Sequence, residues 1–174
     1  MSFISFLIFT FSGLQTTDVI EWNATRKLKW DDFKGPPDAA SPNAALTISA
    51  ITIDFGYDES GFEYSIRCSF DKSRSWVRIR NNEVLLHEQG HFDIAELYAR
   101  KLNKQMKEYK YNVKTASDDL NKIYETVMKQ HQEAQNTYDQ ETDYSRNRPK
   151  QEEWQRTIAA DLASLKAFAA YKKK

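Results

Sequence analysis

The sequence has a single cysteine, Cys68, in 174 residues. No intramolecular disulfide can brace such a chain, so its stability must come from a packed core and from any ion it binds. Cys68 lies within an apolar alternation and reads as a buried, inert thiol. Neither sign of charge is in excess, with 25 basic and 25 acidic residues. That balance removes the field that nucleic acid or an anionic membrane would require. Internal repeats are absent, and nothing is low in complexity beyond the run Lys172–Lys174. No apolar stretch is long enough to span a bilayer. Histidine is scarce too: the chain has 3, and two of them stand four positions apart. Aromatic residues make up 13%, which argues against disorder, and the length suits one domain with a real core.

Residues Met1–Gly13 form a short apolar run that then turns polar. The run resembles the central region of a secretory signal, which predicts a signal peptide over 1–15 and a single domain over 16–174. No Lys or Arg precedes it, a departure from that pattern, and no cysteine follows it to carry a lipid anchor. The expected location is secreted or periplasmic, with no stable membrane insertion after signal removal.

Next come strand signals. Asp18–Trp22 is a short strand candidate. Trp30 and Phe33 anchor a loop that Gly35-Pro36-Pro37 ends in stiff extended backbone, with Asp31 and Asp32 in turn or capping roles. Residues 45–57 are rich in β-branched types, and Asp58-Glu59-Ser60-Gly61 makes a turn. In the return strand Phe62, Tyr64, Ile66, Cys68 and Phe70 alternate with polar residues, so one face is buried. Residues 73–80 read as a further strand, either a purely structural edge or the rim of a cleft, whose edge an extended peptide could then join by main-chain hydrogen bonds.

Residues 83–102 then read as one helix. Asn81 and Asn82 can cap its start, and Val84, His87, His91, Ile94, Ala95, Tyr98 and Leu102 form one stripe. Within it lies His87-Glu88-x-x-His91. Residues four apart stack on one helix face, so both imidazoles can share a cation, and Glu88 projects beside it, where it can deprotonate a bound water. Zinc (Zn2+) suits this arrangement, because few protein ligands leave a position open for water. A second helix starts near Thr115 and places Leu120, Ile123, Tyr124, Val127, His131, Ala134 and Tyr138 at helical spacing. His131 thus reads as a core residue. A carboxylate-rich segment follows, and Pro149 introduces a last helix bearing Trp154, Ile158, Leu162, Leu165 and Phe168.

Three blocks carry a family resemblance: Leu28-Lys29-Trp30-Asp31-Asp32-Phe33-Lys34-Gly35, Leu86–Ala99 around the histidine motif, and Tyr138-Asp139-Gln140-Glu141-Thr142-Asp143-Tyr144. The chain resembles the bacterial family DUF922, described as predicted secreted zinc-dependent proteases. The resemblance implies a secreted or periplasmic, metal-dependent peptidase-like protein. In the third block the family pattern is Tyr-Asp-x-x-Thr followed, one residue on, by His; here that position is Tyr144.

Two histidines alone hold zinc poorly, so a third protein ligand is required. Asp139, Glu141, Tyr144 and His131 are the alternatives; Asp139 is favoured because it lies in the intact part of the family-like block. Tyr144 could instead help stabilise an oxyanion. The expected function is zinc-dependent peptide hydrolysis on peptide or protein substrates, with His87, His91 and Asp139 as ligands and Glu88 as general base. The alternative is a metallopeptidase-like binding or structural protein of the cell envelope without turnover. The expected architecture is α+β and zincin-like, a small, mostly antiparallel sheet from residues 18–80 packed on a helical half from 82 to 171.

Overall fold

The computed structural model describes residues 18–171; the expected signal peptide over 1–15 lies outside the described residues. The chain runs β1 (Val19–Glu21), a 3-10 turn (Trp30–Asp32), β2 (Ala45–Leu46), β3 (Ser49–Asp58), β4 (Gly61–Asp71) and β5 (Trp76–Val77). It continues through α1 (Asn82–Glu108), α2 (Ala116–Thr142), α3 (Arg148–Ser164) and a final 3-10 turn (Lys166–Phe168). The fold is α+β, with antiparallel sheets in the N-terminal half and helices in the C-terminal half, as the patterning implied.

The three-stranded sheet has the order β1-β4-β3, and its long hairpin pairs Ser49 with Phe70 through Asp58 with Gly61. Along β4 the alternation holds: Ile66, Cys68 and Phe70 are fully buried while Arg67 is exposed. Phe70 packs edge-on to Phe33 and tilted against Phe92 of α1, at centroid distances of 5.1 and 5.8 Å. This aromatic contact joins the sheet to α1 and to the loop of Trp30 and Phe33, whose two rings lie 5.2 Å apart. Asp32 serves that loop as a cap. It accepts the Lys29 amide at 2.8 Å and pairs with Arg26 at 2.7 Å. Gly35 is required for close approach, because a Cβ there would lie 2.8 Å from the Ser73 carbonyl oxygen.

Two strand expectations need correction. The run 45–57 is not one strand: it breaks between β2 and β3, and the two pieces join different sheets. At the break the Ile48 amide leaves the ladder and donates to Ser75 Oγ, while its carbonyl still accepts the Asp71 amide of β4. The expected strand 73–80 shrinks to Trp76–Val77, because Ser73 and Arg74 wrap the Asp71 carboxylate in a turn. β5 pairs with β2 in a separate two-stranded sheet.

Helix α1 starts as the sequence implied, with Asn81 Oδ1 accepting the Val84 amide at 2.8 Å. A single buried stripe does not describe it, however: 16 of its 27 residues are buried. The sheet, α2 and α3 all pack on it. Polar residues that look suited to solvent are instead paired inside. Arg100 binds Glu96 at 2.9 Å and the Leu162 carbonyl at 2.6 Å, and its guanidinium lies over the Trp22 ring. The Tyr171 phenol donates to the other Glu96 oxygen. Asn103 accepts from Tyr64 and donates to the Phe168 carbonyl. These contacts strap α3 and the C-terminal turn onto α1.

Removing one member of a buried pair strands the other charge in a dry site. Arg100→Ala is expected to cost about 3–5 kcal/mol, and Tyr171→Phe about 1–2 kcal/mol. Urea unfolding followed by tryptophan fluorescence checks both; equal and small losses would show that the pair is solvated in solution.

Candidate metal centre

Helices α1 and α2 build the site where they cross. His87 and His91 lie one turn apart on α1, and Tyr138, Asp139 and Thr142 occupy the last turn of α2. His87 Nε2 is 3.1 Å from Asp139 Oδ1, His91 Nε2 is 3.1 Å from the same oxygen, and the two Nε2 atoms are 3.2 Å apart. Three donors at the corners of a near-equilateral triangle form one face of a coordination polyhedron. For metal–ligand bonds of roughly 2.0–2.1 Å, a tetrahedral edge is about 3.3 Å. The observed triangle is close to that value, and His87, His91 and Asp139 form a triad able to hold a metal ion.

Each imidazole is turned to bare the correct nitrogen. Thr142 Oγ1 gives its only proton to the Tyr138 carbonyl at 2.6 Å, leaving a lone pair toward His87 Nδ1 at 3.4 Å. Gln135 Oε1 lies 2.6 Å from His91 Nδ1. With Nδ1 protonated on both rings, Nε2 is the nitrogen that each would offer to a metal.

Tyr138 sets the spacing of the two rings. Fully buried, it stacks on His87 at 4.6 Å and meets His91 edge-on at 5.0 Å, and its hydroxyl donates to the His87 carbonyl. Burial pushes its phenol well above the usual range, so it stays a neutral wedge. Gly90 makes the notch for it: a Cβ there would stand 2.7 Å from Tyr138 Cζ.

Glu88 is buried beside the triad, and its Oε2 has no hydrogen-bond partner. A buried carboxylate oxygen without a partner is costly and calls for a cation or a held water. The cleft supplies no other positive group, since no lysine or arginine is among its described lining residues. Burial opposes the charge on His91, but hydrogen bonding to Asp139 and the nearby Glu88 charge outweigh it and raise its pKa. Burial likewise works to raise the Asp139 carboxyl, yet the two histidines hold it well below the carboxylate range. The negative charge of the two carboxylates favours a positive charge at this point of the cleft.

The cavity has a volume of about 310 Å³ and is walled on one side by residues 43–49 and on the other by α2. The rim strand is therefore β2; β5 lies behind it, which corrects the expectation for residues 73–80. β2 pairs Ala45 with Val77, and the Ala44 carbonyl accepts the Arg78 amide. By antiparallel alternation, the amide and carbonyl of Ala45 turn away from β5. Thr47 ties this wall to α1 through a 3.3 Å hydrogen bond to the Glu88 carbonyl.

The remaining ligand alternatives lie outside the donor triangle. Glu141 accepts from the Trp154 indole at 2.8 Å. His131 is bonded to Gln135 and packs on Tyr98. Tyr144 lines the mouth of the cavity but is 47% exposed, and the donor triangle is complete without it. It sits within three consecutive left-handed residues, Asp143, Tyr144 and Ser145, with φ of 48°, 51° and 77°. The Asp139 carbonyl accepts the Tyr144 amide at 3.0 Å, coupling this turn to the triad. Sequence reasoning missed Tyr138, Thr142, Gly90 and Gln135. The first two lie in the Tyr-Asp-x-x-Thr block, where spacing alone could have assigned them to the same helix turn as Asp139. A larger, more apolar cavity of about 500 Å³ lies between α1 and α3, lined by Leu85, Leu86, Ile158 and Leu162, and it holds none of this chemistry.

Among protein families, the model for DUF922, a bacterial protein of unknown function, matches residues 63–147, which include the triad, Glu88 and Tyr138. No curated protein and no solved structure matches the chain.

Gly90→Ala is expected to destabilise the protein by roughly 1–3 kcal/mol through overpacking and to split the triad, which isothermal titration with zinc would register as lost binding. Burial holds His131 down to about 4. Its folded pKa is thus below its unfolded value of about 6.5, so its contribution is full above pH 6.5 and is lost as pH falls toward 4. His131→Phe should flatten the pH dependence of urea unfolding across that window; an unchanged slope would rule the residue out as its source.

Proposed function

The chain belongs to the DUF922 family, and we propose that it is a zinc-dependent metallopeptidase acting outside the cytoplasm. The observation that carries this reading is the donor triangle of His87, His91 and Asp139 beside the unpartnered buried oxygen of Glu88. Two imidazoles and one carboxylate are a donor set that suits zinc and leaves a position for water and substrate.

Zinc bound there would supply a water acidified to roughly neutral pKa and a positive charge to polarise a carbonyl. The chain's own groups do the rest. His87 and His91 offer their Nε2 lone pairs because Thr142 and Gln135 engage the opposite nitrogens. Glu88 takes the proton from the attacking water at Oε2 and passes it to the leaving amine. Its burial keeps bulk water from competing for that proton. An extended peptide lies along β2, where the outward amide and carbonyl of Ala45 offer main-chain hydrogen bonds that do not depend on sequence. The amide and hydroxyl side chains of Asn43, Gln132, Asn136 and Ser49 line the same cleft. Export to the periplasm or the medium is part of the proposal and rests on the apolar run at residues 3–11.

One feature favours a second reading, a binding protein without turnover: Tyr144 stands where the family pattern has a histidine and lies open to solvent. Metal content of purified protein tests the first step, with zinc, iron and manganese measured together because a two-histidine, one-carboxylate face also suits iron. About one zinc per chain, lost in His91→Ala, is expected; no bound metal after zinc dialysis would overturn the reading. Glu88→Gln should keep the metal and lower peptide hydrolysis about 10²–10⁴-fold. Equal, background-level rates in wild type and Glu88→Gln would instead favour the binding protein.

A further inference from the structure

Gln135 lies one helical turn before Asp139 on α2, and its side chain bridges three groups. Oε1 is 2.6 Å from His91 Nδ1, Nε2 is 3.0 Å from the His91 carbonyl oxygen, and Nε2 is 2.9 Å from His131 Nε2. The carbonyl decides the orientation of the amide. A main-chain carbonyl only accepts, so the atom facing it must be the NH₂ group. Oε1 then necessarily faces His91 Nδ1, and an oxygen acceptor requires a proton on that nitrogen. Nε2 is then the nitrogen that His91 would offer to a metal, toward Asp139 and His87. The second hydrogen of the NH₂ group goes to His131 Nε2, which must accept. His131 can do so because burial keeps it neutral.

We propose that Gln135 is the positioning residue that holds His91 in its metal-binding tautomer, and that His131 holds Gln135 in place in turn. This rests on the metal reading above. It gives the third histidine of the chain a role that is neither ligand nor mere filling: it is the acceptor that stops the Gln135 amide from flipping. A flipped amide would set two oxygens against each other at the His91 carbonyl and present NH₂ to Nδ1, forcing the proton to the nitrogen that must stay bare. One helix, α2, thus supplies Asp139 to the metal and orients both histidines, His91 through Gln135 and His87 through Thr142. His91 is the more exposed imidazole and needs the stronger tether; its partner is at 2.6 Å, whereas that of buried His87 is at 3.4 Å.

The test uses the full chain and zinc alone. Zinc affinity is measured by chelator competition for wild type, Gln135→Met, Gln135→Glu and His131→Leu, with thermal unfolding of the metal-free proteins alongside. Gln135→Met keeps the length and loses the acceptor; a 10–100-fold weaker affinity is expected with unfolding unchanged. Gln135→Glu keeps an acceptor for the Nδ1 proton but sets its second oxygen against the His91 carbonyl, so it should fall between wild type and Gln135→Met. His131→Leu frees the amide and should also fall between wild type and Gln135→Met. Nitrogen-15 spectra of the zinc-loaded protein should show a slowly exchanging His91 Nδ1 proton in wild type and a fast one in Gln135→Met. Zinc bound equally well by wild type and Gln135→Met, or a His91 Nδ1 proton that exchanges equally fast in both, would overturn the proposal. Zinc bound by neither wild type nor any variant would overturn the metal reading instead.

Discussion

The close approach of α2 to α1 at Gly90 is the contact on which the site depends. Tyr138 enters a notch that only a residue without a side chain can provide, and its ring face then fixes how far His87 and His91 stand apart. Asp139 follows at once in the helix, so the depth to which the ring seats also sets the height of the carboxylate above the imidazoles. Protein interiors are packed like crystals and transmit small displacements. A ring shifted outward by an ångström would therefore move the carboxylate as well as the imidazoles, and the triangle of donors would open.

A second constraint lies beneath the first. Helix α1 can carry the histidines rigidly because it is enclosed by the sheet, α2 and α3 together. Its polar residues are the means of enclosure: Gln89 accepts the Leu28 amide and donates to Asp93, which also takes the Trp22 indole proton. The loop of residues 22–35 is in this way fastened to the same turn that bears the histidine motif. The first of the three family-like blocks thus supports α1 from the side opposite the cleft, and its Asp32 caps the loop.

The helix bearing His87 and His91, its Asn81 cap, the alternation along β4 and the α+β layering were all legible in the chain, because each is written in local periodicity. What was not legible depends on contacts distant in sequence. Nothing local in the sequence says that a buried partner awaits Glu96, Arg100 and Asn103. The break between β2 and β3 was hidden because residues 45–57 are continuously β-prone; the switch of sheets is dictated by Ser75 and Asp71, which lie far along the chain. Asp139 could be favoured among four candidates, yet no local pattern places it beside His87. Its position there follows from the angle at which two helices cross, and that angle depends on Gly90 and Tyr138 jointly.

The break at Thr47–Ile48 also bears on motion. β2 and β5 form a sheet of two residues each, separate from the long hairpin and held by few ladder bonds. Two-stranded pairs are marginal in water on their own, so this one depends on its seat against the core, where Ala45 and Trp76 are buried and Thr47 bonds to the Glu88 carbonyl. One wall of the cleft is therefore a short pair with an open edge, while the other is carried by α1 and α2. A chain entering the cleft would add a third strand to the weak pair. Amide hydrogen exchange at Ala45 and Leu46 would then slow upon occupancy, while the helix bearing the histidines would register almost nothing.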